Sequence, residues 1–218
     1  MKNVQLNSCF FSLFFIVLST TYLSAQSPRL DSLFKVLAVM PDDTNKANTL
    51  NEIARAYLSE SNDLMKVGDY GKKELPLARK LNYKKGIAQA MINIAIMYRS
   101  ATINYDLALY YDRTALKLMQ ELRNKNGEST ALINIGLTFS EKGDYRKALN
   151  YLKLGLEIKK ELGDKRGISI ANNNIANIFQ TQGNYTEAMR AHLSALKMRE
   201  ELGDINGIAS SYNNIGTV

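Results

Sequence analysis

The chain has 218 residues, enough for one ordinary domain or a short repeat array. Hydrophobic residues make up 45% and charged residues 22%, with three Pro and no Trp, a balance that suits a soluble, helix-rich protein and argues against strands. The formal charge is +7, but Lys159, Lys160, Lys165 and Arg166 alternate with Glu157, Glu161 and Asp164; such mixing marks a solvated helix face and excludes nucleic acid as the expected partner.

The first element is a segment for export. Met1–Ser8 carries one cation, Lys2; Phe10–Leu18 is almost wholly apolar; small and polar residues follow up to Leu23-Ser24-Ala25-Gln26. A basic start, a short apolar core and a small residue at the cut are the parts of a secretory signal. Residues 1–25 are expected to be removed after Ala25, leaving the chain exported, periplasmic or secreted. The rival reading is an uncleaved anchor. Phe10–Leu23 has 14 residues, short of the roughly 20 that span a bilayer, so no stable membrane insertion is expected after cleavage. The only cysteine, Cys9, precedes the apolar core, where a lipoprotein cysteine would follow it. The mature chain then has no disulfide, thiolate metal site or cysteine nucleophile.

Residues 26–46 read as a leading helix and cap. Pro28–Leu37 is amphipathic through Leu30, Leu33, Phe34 and Leu37, and Pro41-Asp42-Asp43-Thr44 starts the next helix. From there the chain repeats itself. Similar units end at Gly86, Gly127, Gly167 and Gly207, spaced 41, 40 and 40 residues. This gives units 47–86, 87–127, 128–167 and 168–207, with 208–218 a first helix alone. The units 128–167 and 168–207 match at Asn134/Asn174, Ile135/Ile175, Phe139/Phe179, Gly143/Gly183, Tyr145/Tyr185, Ala148/Ala188 and Leu156/Leu196.

Each unit reads as two helices. Leu132, Ile135, Gly136 and Phe139 share one helical face. Gly143 ends that helix, and Asp144 caps the next, whose apolar stripe includes Ala148, Tyr151, Leu152, Gly155 and Leu156. Leu162-Gly163-Asp164 repeats the device between units. Tyr145 and Tyr185 read as core. In unit 47–86 the second helix, Asp63–Leu81, holds Pro76 and is expected to start irregularly or bend. A single hairpin cannot bury its apolar stripe; stacked hairpins can.

Asn134-Ile135-Gly136, Phe139, Gly143-Asp144-Tyr145, Ala148, Tyr151 and Leu156 resemble the tetratricopeptide repeat, here in a long class with a 40-residue period. The resemblance covers Ala47–Val218. It implies an all-α fold, an α-solenoid in which helical hairpins wind into a right-handed superhelix, and a non-catalytic scaffold that binds a protein or peptide on the concave face lined by the first helix of each pair. The leading segment, Leu30-Asp31-Ser32-Leu33 to Pro41-Asp42-Asp43-Thr44-Asn45-Lys46, looks like the entry to exported repeat regions of Bacteroidetes-type signalling proteins. That resemblance implies a sensory portion whose kinase, cyclase or transcription-regulator output is not in this chain. The apolar end at Tyr212 and Ile215 fits either truncation or end-to-end self-association.

Asn93, Asn134, Asn174 and Asn214 recur at one place in successive first helices, and Asn173, Asn177 and Asn213 enrich the same side. Amides donate and accept, so such a ladder suits the backbone of an extended peptide; it equally suits bonds within the stack that keep its register. Arg55 and Arg99 are the expected concave cations. Tetratricopeptide domains that clamp a carboxylate use several cations, whereas here Ile92, Ile96, Ile133 and Leu137 occupy most such places. No catalytic constellation is present: His192, the one histidine, stands where Leu152 stands one unit earlier and reads as packing. No metal or cofactor is expected, since the chain offers neither a His/Cys cluster nor a Gly-rich phosphate loop.

Overall fold

The structure is a computed structural model that describes residues 27–218. The expected signal, residues 1–25, lies outside the described residues. Ten α-helices and no strand are present among the described residues. They are α1 (Pro28–Leu37), α2 (Thr44–Ala56), α3 (Leu64–Lys80), α4 (Lys84–Ser100), α5 (Tyr105–Glu121), α6 (Lys125–Glu141), α7 (Tyr145–Glu161), α8 (Lys165–Thr181), α9 (Tyr185–Leu202) and α10 (Ile205–Gly216). The even-numbered helices are the first (A) helices of successive hairpins and α3, α5, α7 and α9 the second (B) helices.

Local chemistry sets these boundaries. Asp63, Asn104, Asn124, Asp144, Asp164 and Asp204 each accept the N–H three residues on, satisfying an otherwise orphan donor of the first turn. Before Asp144 and Asp164, Gly143 and Gly163 turn the chain left-handed, at φ of 80° and 64°, which costs glycine little. In the N-terminal half the same places hold Ile103 and Arg123, at φ of 51° and 52°, so the turn persists there without its favoured residue. The irregularity expected in Asp63–Leu81 lies earlier than Pro76. A π-helical turn, Tyr57–Ser61, and left-handed Asn62 precede α3, while α3 continues through Pro76. Pro76 lacks only one N–H and its fixed φ is already helical.

The repeating glycines taken as unit ends are elsewhere. Gly127, Gly167 and Gly207 lie in the first turn of α6, α8 and α10. A Cβ at Gly127 or Gly167 would collide with Met119 or Lys159, which lies across the helix start from the preceding B helix; at Gly207 it would collide with the cap Asp204 and crowd Arg199 of α9. Each structural unit therefore begins about three residues before the sequence repeat suggests. Gly136 and Gly155 do bring helices together, since a Cβ would meet Leu152 at the first and Ile133 at the second.

Three apolar clusters run along the array. Leu30, Ile53 and Ala56 lie under α1, which covers the first hairpin; Ala54, Val67, Met91 and Met119 form the next; Leu109, Ile135, Phe139, Leu152 and Ile175 form the third. Successive A helices α2, α4, α6 and α8 touch one another, whereas B helices hardly reach across to their counterparts. The stack is thus a solenoid whose A helices line the inner, tighter face. At its end α10 leaves Ile205 and Tyr212 exposed. No described helix is long and apolar enough to cross a membrane.

Candidate binding face

A ligand on the inner face must meet A-helix side chains, and most of these are already engaged. Asn93 is buried in α4, and its Nδ2 donates to Asn51 Oδ1 of α2 at 3.0 Å. Asn214 of α10 donates to Asn173 Oδ1 of α8 at 2.7 Å. Asn134 is buried in α6; its carbonyl accepts Thr138 Oγ1, while its amide nitrogen has no partner of good geometry. Asn174 is half-buried, and Asn177 and Asn213 are exposed. Apart from the buried Asn134, the asparagines therefore divide into clasps between helices and an accessible set, Asn174, Asn177 and Asn213, toward the C-terminal half.

The two arginines divide in the same way. Arg55 is exposed and pairs only with Glu52 on its own helix, at 3.4 Å, an arrangement worth a few tenths of a kcal/mol. Arg99 is only 8% exposed. It lies between α4 and α6, with Nε 3.3 Å from Glu141 and Nη1 3.5 Å from the Asn134 carbonyl. Ile92, Ile96 and Ile133, expected to line the groove, are buried between helices. What remains open is a strip of α8, Ile170, Asn174 and Asn177 at helical spacing, beside half-buried Leu137 of α6. A surface hollow of about 570 Å³ lies instead along the B helix α5, beside Asp106, Tyr110, Arg113 and Lys117.

The polar core holds more than the repeat pattern suggested. Asp112, Leu152 and His192 occupy the same place in α5, α7 and α9, forty residues apart. Leu152 is wholly buried, and so are the other two. Burial pushes the Asp112 carboxyl up to about 8 against the opposing pull of the Arg99 charge and the Asn134 amide. His192 is fully enclosed, with neither ring nitrogen bonded; burial, then the Arg199 charge, lowers its pKa, so the ring is neutral at pH 7. Glu74 of α3 is fully buried without a partner, and burial raises its pKa to about 9. It takes the place of Ala115, Gly155 and Ala195 in later units. Aligning the chain at its period exposes all three positions as polar exceptions. Tyr185, expected in the core, is instead largely exposed.

Chemically, the inner face offers amides and apolar surface. Among the described residues no cluster of three or more His, Cys, Asp or Glu could hold a metal ion.

Two family models, each described as Tetratricopeptide repeat, match residues 86–161 and 173–202. The chain carries tetratricopeptide repeats. Its fold is an all-α solenoid that matches the tetratricopeptide repeat over those residues. Several solved structures share this fold. One is a Rap protein complexed with Competence and Sporulation Factor, at TM-score 0.72 and 19% identity over 86% of this chain and 58% of that one. Another is aspartyl phosphate phosphatase F from Bacillus subtilis, at 0.68 and 18%, over 81% and 46%. A third is a signal transduction ATPase with a tetratricopeptide repeat sensor from Pyrococcus horikoshii, at 0.63 and 18%, over 84% and 28%. The chain thus spans between 28% and 58% of each of these proteins. No curated protein matches it.

Proposed function

We propose that the array is a non-catalytic scaffold of the cell envelope that holds an extended segment of a partner protein on the inner face of α6–α10. The accessible amides carry this reading: Asn174, Asn177 and Asn213 flank apolar Ile170 and Leu137 and are not consumed by the clasps that hold Asn93 and Asn51. Amides can bond a peptide backbone in both directions, and the apolar strip can take alternate side chains. The shared fold of the Rap protein bound to Competence and Sporulation Factor supports it. Export rests on the tripartite N-terminus, and neither nucleic acid nor membrane is a proposed partner. The exposed Ile205 and Tyr212 are the proposed surface for end-to-end self-association.

The test is selection of peptides from a random library on the immobilised chain. Asn174→Ala with Asn177→Ala should abolish retention of the selected peptides while far-ultraviolet circular dichroism is unchanged. Undiminished retention refutes the inner-face assignment. A second reading makes the array the sensory part of a larger signalling protein. The similarity to a tetratricopeptide repeat sensor within a signal transduction ATPase favours it. Sequencing the transcript beyond codon 218 decides it: an in-frame output domain supports the sensory role, and a stop codon removes it.

A further inference from the structure

Consecutive A helices are not all held together in the same way. α2 and α4 are tied by Asn51 and Asn93. α4 and α6 are tied by Arg99, through Glu141 and the Asn134 carbonyl. α8 and α10 stand further apart but are bridged by Asn173–Asn214 and by Gln180 Nε2, which donates to the Thr217 carbonyl at 2.9 Å. Between α6 and α8, no hydrogen bond or ion pair joins the described residues.

The register explains the gap. The Asn clasp pairs the repeat asparagine with the residue one place before its equivalent in the preceding A helix. That residue is Asn51 below Asn93 and Asn173 below Asn214, but Ile133 below Asn174. The same mismatch, Ile92 below Asn134, occurs between α4 and α6, where Arg99 supplies the tie instead. Near α6 and α8 the one polar node is Lys159 of α7, which is buried. Its Nζ lies 2.8 Å from Asp164, the cap of α8, and bonds Asn126 in the first turn of α6. The two helices are thus pinned at their N-terminal ends. Beyond that node they meet through apolar side chains such as Ile133, Ile135 and Ile175. Apolar contact is non-directional and tolerates small sliding, which a hydrogen bond of fixed geometry resists.

We propose that the solenoid flexes at the joint between α6 and α8. Helices α1–α7 move as one body and α8–α10 as another, pivoting at Lys159, so that the C-terminal ends of α6 and α8 part and close beside Leu137 and Asn177. The consequence for a ligand rests on the inner-face reading above; the motion does not, and it is measured without ligand.

Thr102, Lys142 and Gln182 are exposed and stand just beyond the C-terminal ends of α4, α6 and α8. In the full chain carrying Cys9→Ser, spin labels on Thr102→Cys with Lys142→Cys report the tied joint. Labels on Lys142→Cys with Gln182→Cys report the untied one. The pair across α6 and α8 should show a distance spread broader by about 1–2 Å, the scale of helix shifts at packed interfaces. Equal spreads overturn the proposal. Ile133→Asn offers Asn174 the missing clasp and should narrow the Lys142–Gln182 spread; an unchanged spread in the folded variant counts against it. If that variant does not fold, Arg99→Met serves in its place. It should widen the Thr102–Lys142 spread to match the other, and no widening refutes the role given to the polar ties.

Discussion

Glu74 gives the sharpest test of the energetics. Its carboxyl is sealed between α3 and its neighbours with no hydrogen-bond partner, and burial raises its pKa from 4.5 to about 9. The folded chain therefore keeps a proton that the unfolded chain loses above about pH 4.5. The sign follows: below pH 4.5 both states are protonated and Glu74 carries no ionisation penalty. From pH 4.5 to about 9 stability falls by up to about 1.4 kcal/mol per pH unit, and above that the loss is complete. At pH 7 this amounts to about 3 kcal/mol, a large share of the stability of an ordinary domain. Glu74→Gln keeps the shape and removes the proton. In urea titrations at pH 5, 6, 7 and 8, wild type and variant should nearly coincide at pH 5 and diverge steadily, the variant being more stable by about 3 kcal/mol at pH 7. Asp112 titrates over an overlapping range, so both proteins lose stability with pH, and the difference between them isolates Glu74. Parallel curves would refute the argument.

Ile103 is a β-branched residue in a left-handed turn that Gly143 and Gly183 fill in later units; Ile103→Gly should stabilise the chain by about 1 kcal/mol, read as a higher thermal midpoint. Arg99→Met removes the links to Glu141 and to the Asn134 carbonyl and should cost about 1–2 kcal/mol in chemical denaturation at pH 7, where Asp112 is still mostly protonated; the cost should grow above pH 8 as Asp112 becomes an unpaired buried charge, and Arg99→Met with Asp112→Leu, the residue of the next unit, should lose that growth. His192 is enclosed with a lowered pKa, so its own contribution to stability should decline as pH falls below about 6.5, where the unfolded ring takes up a proton, against the gain that Glu74 and Asp112 supply over the same range. His192→Leu removes that opposition, so its thermal midpoint should rise more steeply from pH 7.5 to 5 than that of wild type, and equal slopes would refute the assignment.

The helices and their limits were readable residue by residue. Each rests on neighbours in the chain: Asp144 caps the N–H of Lys147, Gly143 turns left-handed, and Leu132, Ile135 and Phe139 share a stripe because a helix has 3.6 residues per turn. The forty-residue period likewise determined the solenoid, since a unit that cannot bury its own stripe must stack on its copy. The limits of the repeat proved less readable, because Gly127 and Gly167 are kept for the side chains that lie across them and not for a turn. Tertiary structure alone decided which polar residues face a neighbour and which face solvent. Asn93 and Asn174 are equivalent in the repeat, yet one is clasped by Asn51 and the other stands over Ile133. The deciding quantity is the one-residue offset between adjacent A helices, a property of how two helices pack and not of either helix's own pattern. The same offset placed Arg99 inside the stack and left the open amides, and the proposed binding face, at α8 and α10.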